Sequence, residues 1–235
     1  MIVLPPAVHA QIPDTFKNLQ YFPEDISKDA LIGNMRQFSF ALGVRCQHCH
    51  AGGDGRSFEG VEFDSDDKAA KRRARYMLRM VETINEQLLP DLPEREKPNV
   101  MVECRTCHRG LSRPRMIDDI LAEKVEQEGV EAAVAHYKAL REDTYGGWSY
   151  DFGEWTINDL AEELGDAGRT SDAIELMKMN SEYYPESISV WVMLGDFQKE
   201  AGEREKARAS YERGLELRPD AEFIQQRLSA LEEEP

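Results

Sequence analysis

The sequence predicts an all-α fold divided into two domains. Apolar residues recur at helical spacing over long stretches, a 34-residue pattern repeats in the second half, and the β-branched runs are too short to indicate a sheet. The 235 residues are 41% hydrophobic and 31% charged, which is typical of a globular chain. No apolar run approaches the roughly 18 residues that cross a bilayer, so we expect no transmembrane segment.

Charge is distributed unevenly along the chain. Residues 1–116 carry 17 Lys and Arg against 16 Asp and Glu, whereas residues 117–235 carry 12 against 29. We therefore place the domain boundary near residue 116. The acidic half would repel nucleic-acid phosphates, which argues against nucleic-acid binding, and it favours a partner with a basic face. Solubility alone is the alternative explanation of this acidity.

All four cysteines lie in two CxxCH motifs, at residues 46–50 and 104–108. This signature is typical of covalent haem attachment, in which both thiols add to the vinyl groups of one porphyrin edge and the next residue's imidazole binds the iron. We therefore predict two covalently bound haem c groups. Their attachment residues are Cys46, Cys49, Cys104 and Cys107, and their iron ligands are His50 and His108.

Three other uses of paired cysteines are a four-thiolate zinc site, two disulfides and a thiol redox pair. Zinc ribbons usually bring their CxxC pairs within about 15–20 residues of each other, whereas these pairs lie in motifs that begin at Cys46 and Cys104. None of the three explains a histidine directly after both pairs.

A haem iron bound by histidine needs a sixth ligand, and methionine is the thioether that raises the reduction potential. The apolar spacing before the first motif predicts a helix that Ser27 or Asp29 caps and Gly43 ends. Met35 lies on its apolar face. Although such a methionine usually packs in a core, a CxxCH motif in need of a partner favours Met35 as a ligand.

A second helix is predicted between the acidic residues 64–67 and Pro90. Met77 is centred on its apolar stripe and corresponds to Met35 when the two helices are superposed by pattern. Met80 lies one turn away and is the alternative ligand of the second iron.

The order of these features resembles the cytochrome c subunit of photosynthetic reaction centres. The resemblance covers about residues 14–112 and includes the run Asn18-Leu-Gln-Tyr-Phe-Pro, the pair Ile84-Asn85 and the glycine Gly110 after the second motif. In that family a helix, a turn and a CxxCH motif carry each haem, and a methionine of the helix is the sixth ligand. The resemblance therefore implies axial pairs Met35/His50 and Met77/His108. The family's subunit carries four haems, so this chain resembles half of it.

The acidic half has the periodicity of a tetratricopeptide (TPR) repeat. Residues 188–221 fit this 34-residue helix–turn–helix pattern, residues 154–187 repeat it in register, and residues 117–153 form a degenerate unit. Residues 220–234 supply a capping helix, since a stack of repeats needs a polar end. Trp148, Trp155 and Trp191 are candidates for groove or interface contacts, but we expect Trp155 and Trp191 to pack internally.

The first ten residues resemble the end of a signal peptide. Val8 and Ala10 fit the small-residue cleavage pattern before Gln11, although a basic region and most of the apolar region are missing. An ordinary extended arm is the alternative. Because haem is attached to CxxCH motifs outside the cytoplasm, we predict a periplasmic or otherwise extracytoplasmic location.

Together these patterns predict an all-α chain with a di-haem c-type cytochrome domain at residues 11–116, followed by a TPR helical-repeat domain at residues 117–235. The expected function is single-electron transfer between protein partners, without enzymatic activity. The TPR repeats would dock the chain to a partner, such as a basic cytochrome or a membrane redox complex. A di-haem peroxidase and a haem-based sensor or scaffold are the alternatives.

Overall fold

The structure is a computed structural model that describes residues 12–233, so the predicted signal-peptide remnant at residues 1–10 lies outside the described residues. The chain divides into two compact units, residues 1–114 and 115–235. The all-α prediction is confirmed, since the described strands are two two-residue segments that form a single hairpin. None of the helices in the described part of the chain is long and apolar enough to cross a membrane.

The first unit contains three helices and the hairpin. They are α1 (Lys28–Leu42), β1 (Ala51–Gly52), β2 (Val61–Glu62), α2 (Ala69–Thr83) and α3 (Cys104–His108). A 3-10 turn at Cys46–His48 precedes the hairpin, and a π-helical turn at Ile84–Leu88 extends α2.

Helix α1 begins and ends where its sequence predicts. The Ser27 hydroxyl caps it by accepting a hydrogen bond from the Ala30 backbone N–H at 3.2 Å. Gly43 ends it in the left-handed conformation, with φ of 64°. The first motif begins three residues after this glycine, at Cys46.

The second unit consists of seven helices. They are α4 (Ile117–Glu128), α5 (Val130–Thr144), α6 (Glu154–Asp166), α7 (Thr170–Tyr183), α8 (Ile188–Glu200), α9 (Arg204–Leu217) and α10 (Glu222–Glu233). The pair α6–α7 and the pair α8–α9 have equal lengths and are separated by one 34-residue period. Gly168 and Gly202, in the turns of these pairs, share a φ of 76°. The predicted TPR-type repeat is thus confirmed by the helices themselves.

The described apolar clusters lie in this second unit. One joins buried side chains from α4 to α8, and another joins α8, α9 and α10. Fully buried members include Leu121, Tyr137, Ile157, Leu176 and Tyr211. The repeat therefore buries apolar side chains between successive helices, as stacked helix pairs must.

The expected internal packing of Trp155 is wrong. Its side chain is 60% exposed, because it lies on the α6 stripe of Asp159, Glu162 and Glu163, away from the buried Ile157. Trp191 is half-buried against the core, and its indole N–H donates to the Pro185 carbonyl at 2.9 Å. Trp148 is 41% exposed.

The first unit buries far less of its chain. Among its described residues, only Leu31, Ala41 and His108 are buried. Large apolar side chains such as Phe40, Tyr76 and Leu88 are mostly exposed. Polypeptide contacts alone thus give this unit very little core.

Candidate functional site

The first motif folds into a tight helical turn. The His50 backbone N–H donates to the Cys46 carbonyl at 3.0 Å, and that of Cys49 donates to the same carbonyl at 3.1 Å. Residues i, i+3 and i+4 of a helical turn share one side. The turn therefore presents Cys46, Cys49 and His50 together, as attachment of one porphyrin requires.

The hairpin after the motif packs against the His50 imidazole. The Phe63 ring lies 5.1 Å from the His50 ring between centroids, at an interplanar angle of 58°, and Phe58 lies 5.9 Å from Phe63. No atom of the described residues meets hydrogen-bond geometry with the buried His50 Nδ1, although the Phe63 backbone approaches the ring. The imidazole is thus oriented mainly by packing.

Two lysines at the start of α2, Lys71 in its first turn and the N-cap residue Lys68, tether the end of the hairpin and the first motif to this helix. Lys71 Nζ donates to the carbonyls of Phe63 at 2.8 Å and Ser65 at 2.7 Å, and Lys68 Nζ donates to the carbonyl of Gln47. Burial lowers the pKa of His50, and the charge of Lys71 lowers it further. The neutral imidazole that can bind a metal is therefore favoured.

The second motif forms α3 itself. The Glu103 backbone N–H donates to Thr106 Oγ1 at 2.9 Å, which caps the start of the helix. His108 is buried, and its Nδ1 lies 2.8 Å from the Leu111 carbonyl oxygen. Because a carbonyl only accepts, Nδ1 carries the proton and the Nε2 lone pair is left for a metal.

Asn85 attaches the second motif to the end of α2. Its Nδ2 donates to the Val102 carbonyl at 2.8 Å, and its Oδ1 accepts from the Val102 backbone N–H at 2.8 Å. Val102 lies two residues before Cys104. The side-chain amide thus satisfies both backbone groups of that residue and positions the segment that leads into α3.

The two motifs meet through a backbone contact between glycines. The Gly110 N–H donates to the Ala41 carbonyl at 2.8 Å, and a Cβ at Gly43 would overlap the Gly110 carbonyl oxygen. Gly43 also has a positive φ, so only glycine suits this position. The sequence predicts Gly43 only as a helix end and does not predict its approach to the second motif. The presence of a glycine beside each motif was the signal that could have indicated this contact.

The candidate methionines differ in exposure. Met35 on α1 and Met77 on α2 are half-buried near the middle of their helices, whereas Met80 is 38% exposed. Lys68, Lys71 and Phe63 were not identified from the sequence, because their contacts depend on how the hairpin folds onto α2.

The other uses of the cysteines find no support in the geometry. The four thiols are free, and residues 12–233 contain no group of three or more His, Cys, Asp or Glu side chains arranged to hold a metal ion. Burial raises the pKa of the Cys49 and Cys104 thiols, with Lys68 opposing it at Cys49. A thiol redox pair would instead need a lowered thiol pKa.

Comparison with known proteins finds similarity in the first half of the chain. Residues 26–123 match the family described as photosynthetic reaction centre cytochrome C subunit. Cytochrome c-554 of Chloroflexus aurantiacus is 34% identical over 99 residues, which is 38% of this chain. The match spans 22% of the length of that relative.

Two solved structures are similar to part of this chain. MamA is 20% identical, over 48% of this chain and 63% of the MamA chain, with a TM-score of 0.34. The first TPR of Spaghetti (RPAP3) bound to an HSP90 peptide is 14% identical, over 49% of this chain and 87% of the other, with a TM-score of 0.35. The repeat itself rests on the helix pairs described above. Residues 26–123 are thus similar to the photosynthetic reaction centre cytochrome C subunit family, and the same chain carries a tetratricopeptide-type helical repeat.

Proposed function

We propose that this chain is an extracytoplasmic di-haem c-type cytochrome that passes single electrons between protein partners. The observation that carries the proposal is that two CxxCH turns, each presenting two thiols and an imidazole, meet at the contact between Gly43 and Gly110. Two attachment turns joined in this way favour a short path for electrons. The family of residues 26–123 implies covalent haem c, and the donor set fits this group.

The proposed ligands follow from the motifs and the helices that precede them. Cys46, Cys49 and His50 would hold the first haem and Cys104, Cys107 and His108 the second, with Met35 and Met77 as the respective sixth ligands. Bound haem supplies a one-electron iron couple, whose potential a methionine ligand raises. The half-buried placement of Met77 supports it over the more exposed Met80.

The chain's own residues would orient these ligands and limit access of water. The Leu111 carbonyl would fix the tautomer of His108, and Phe63, which packs on Phe58, would shield the His50 ring. Residues that contact the metal-binding imidazoles in this way tune the properties of a metal site, because they fix the orientation of the ligands and set the local dielectric. Their role is to keep each imidazole in one position while the iron changes its charge.

The TPR-type unit would bind a protein partner. Stacked helix pairs offer an extended surface for a peptide or a helix. Residues 117–235 carry 29 acidic against 12 basic side chains, which favours a partner with a basic face, such as a basic cytochrome or a membrane redox complex. Reaction-centre involvement is one case of this general role.

A potentiometric titration of the protein matured in a bacterial periplasm tests the proposal. The haem content per chain is measured first, and the reduced haem band is then followed against potential. We expect two haems and two one-electron waves at the positive potentials of His/Met iron. Absence of covalent haem would refute the proposal, and a single low-potential wave that responds to added carbon monoxide would favour the sensor or peroxidase alternatives.

Methionine variants identify the sixth ligands. Met35→Ala and Met77→Ala should each lower the potential of one wave, because the iron loses its thioether ligand. Met80→Ala is the matched control on the same helix and should leave both waves in place. If Met80→Ala lowers a wave and Met77→Ala does not, Met80 is the ligand of the second iron.

A further inference from the structure

We propose that the cationic side chains of α2 make the haem at the first motif the one with the higher reduction potential, with Lys71 as the main contributor. The inference rests on the proposed di-haem function. It concerns how the polypeptide sets the order of the two potentials.

Three cations lie near the first motif: Lys71 and Arg75 of α2, and Lys68, which directly precedes this helix. The Lys71 and Arg75 side chains are only 12% and 13% exposed, and Lys71 donates to the backbone of Phe63, whose ring packs on His50. Lys68 donates to the backbone of Gln47 inside the motif. Positive charge is therefore held by hydrogen bonds close to the proposed ligand, on the side of the hairpin.

Asp66 offsets this charge only in part. Its carboxylate pairs with Arg75 at 2.7 Å and with Lys71 at 3.4 Å, and the charge of Asp64 also acts on Lys71, so two carboxylates face the three cations. Three cations against two carboxylates leave a net positive charge on this side of the His50 ring.

The surroundings of the second motif are different. Glu103 directly precedes Cys104, and its pairing with Arg105 at 2.6 Å lies on the surface. Glu103 therefore offsets Arg105 at this motif, and among the described residues no lysine donates to its backbone as Lys68 does at the first motif.

The order of potentials follows from electrostatics. Oxidation adds one positive charge to the iron, so a fixed cation nearby opposes oxidation and raises the potential. The effect is larger for a half-buried cation, since water and salt screen it less. Electrons would then settle on the first haem, and the donor would deliver them through the second.

Single-haem variants test the order directly. Cys46→Ala/Cys49→Ala leaves the second motif intact, and Cys104→Ala/Cys107→Ala leaves the first. We expect the remaining wave to lie lower in the former variant than in the latter. The reverse order, with one covalent haem present in each variant, would overturn the inference but not the proposed function.

Charge removal tests the cause. In the two-haem protein, Lys71→Met should weaken reduction of the first haem about tenfold, which equals 59 mV for a one-electron couple, and leave the lower wave nearly unchanged. Lys71→Arg keeps the charge and should keep the potential. Arg73→Met is the matched control, because Arg73 is exposed on the same helix and donates only weakly to Ala69 at 3.4 Å.

The outcomes separate electrostatics from structure. If Lys71→Met and Lys71→Arg shift the potential of the first haem equally, hydrogen-bond geometry and not charge sets that potential, and the inference is overturned. An equal shift in Arg73→Met would do the same. If Lys71→Met does not acquire haem, Arg75→Gln provides a second variant that removes a positive charge. If the unchanged protein itself lacks covalent haem, the proposed function fails instead.

Discussion

The guanidinium of Arg141 lies among five aromatic rings of the TPR-type unit. The distances from its Cζ to the ring centroids run from 4.2 Å to 6.0 Å, and the rings belong to Tyr137, Tyr145, Phe152, Tyr183 and Tyr184. Its Nη1 donates to the Tyr137 hydroxyl at 3.0 Å and to the Phe152 carbonyl at 3.1 Å. One cation thus joins α5, α7 and the segment between α5 and α6 by cation–π and hydrogen-bond contacts.

Tyr137 makes the stability of this unit sensitive to alkali. Its side chain is fully buried, and burial raises the pKa of its hydroxyl to about 12, although Arg141 opposes the rise. The pKa of Tyr137 in the folded protein exceeds the ordinary value of 10.0. The contribution of the neutral Tyr137 hydroxyl to the free energy of unfolding is therefore fully present below pH 10 and is lost as pH rises toward 12. Tyr137→Phe should therefore flatten the fall in the free energy of unfolding over this range, measured by urea titration of the unit followed by circular dichroism.

Tyr145→Phe is the control for this prediction, because Tyr145 is 66% exposed and contacts the same arginine. Its alkaline profile should stay parallel to that of the unchanged protein. A Tyr137→Phe profile that also stays parallel would contradict the assignment to Tyr137.

A second residue-scale prediction concerns Asn85. Asn85→Ala leaves the half-buried backbone groups of Val102 without partners, and each such loss costs about 1–3 kcal/mol. We expect faster amide hydrogen exchange at Val102 and a lower yield of haem at the second motif. Gln87→Ala, at an exposed position of the same π-helical turn, should change neither. Unchanged exchange at Val102 would show that Asn85 does not hold this segment.

Between elements, the closest packing of the repeat involves Gly195 of α8. A Cβ at this position would overlap the ring of Tyr211, which is fully buried on α9. Both residues belong to the 34-residue pattern in the sequence. The pattern therefore encodes a close helix–helix approach, in which a small residue on one helix accepts an aromatic ring of the next.

Gly195→Ala should destabilise the second unit by about 1–3 kcal/mol, because the added methyl group overpacks the contact with Tyr211. Urea unfolding of the chain measures this change. Gly33→Ala on α1 is the control: a Cβ there meets nothing within 4 Å, and alanine is the better helix former, so stability should stay equal or rise by up to about 1 kcal/mol. An unaffected Gly195→Ala variant would mean that α8 and α9 can separate without cost.

The elements differ in how far the sequence predicts them. The bounds of α1 follow from Ser27 and Gly43, and the two complete repeats follow from their period, because caps and periodicity are local signals. The β1–β2 hairpin over the His50 ring and the lysine contacts from α2 carry no local signal, since they join segments up to 21 residues apart. Trp155 is an intermediate case. The helical periodicity places it on the charged stripe of α6, but its large aromatic side chain favoured the wrong prediction that it is buried.

At the scale of the whole chain, burial is divided unequally between the units. The second unit contains the described apolar clusters, whereas the described part of the first buries only Leu31 and Ala41 among its apolar residues. A folded chain must offset the entropy of ordering its residues with buried apolar area. The first unit has too little of this area in polypeptide contacts, so its stability should depend on haem, while that of the second should not.

A chain with all four cysteines replaced by alanine tests this division. Without covalent haem, amides in α6–α9 should exchange slowly, with opening free energies on the order of 5–15 kcal/mol, because their core is intact. Amides in α1 and α2 should exchange nearly as fast as in an unfolded chain. In the haem-loaded protein both sets should be protected. Strong protection of α1 and α2 in the cysteine-free chain would show that the polypeptide alone stabilises the first unit. The haem would then bind to a preformed fold and would not be part of its core.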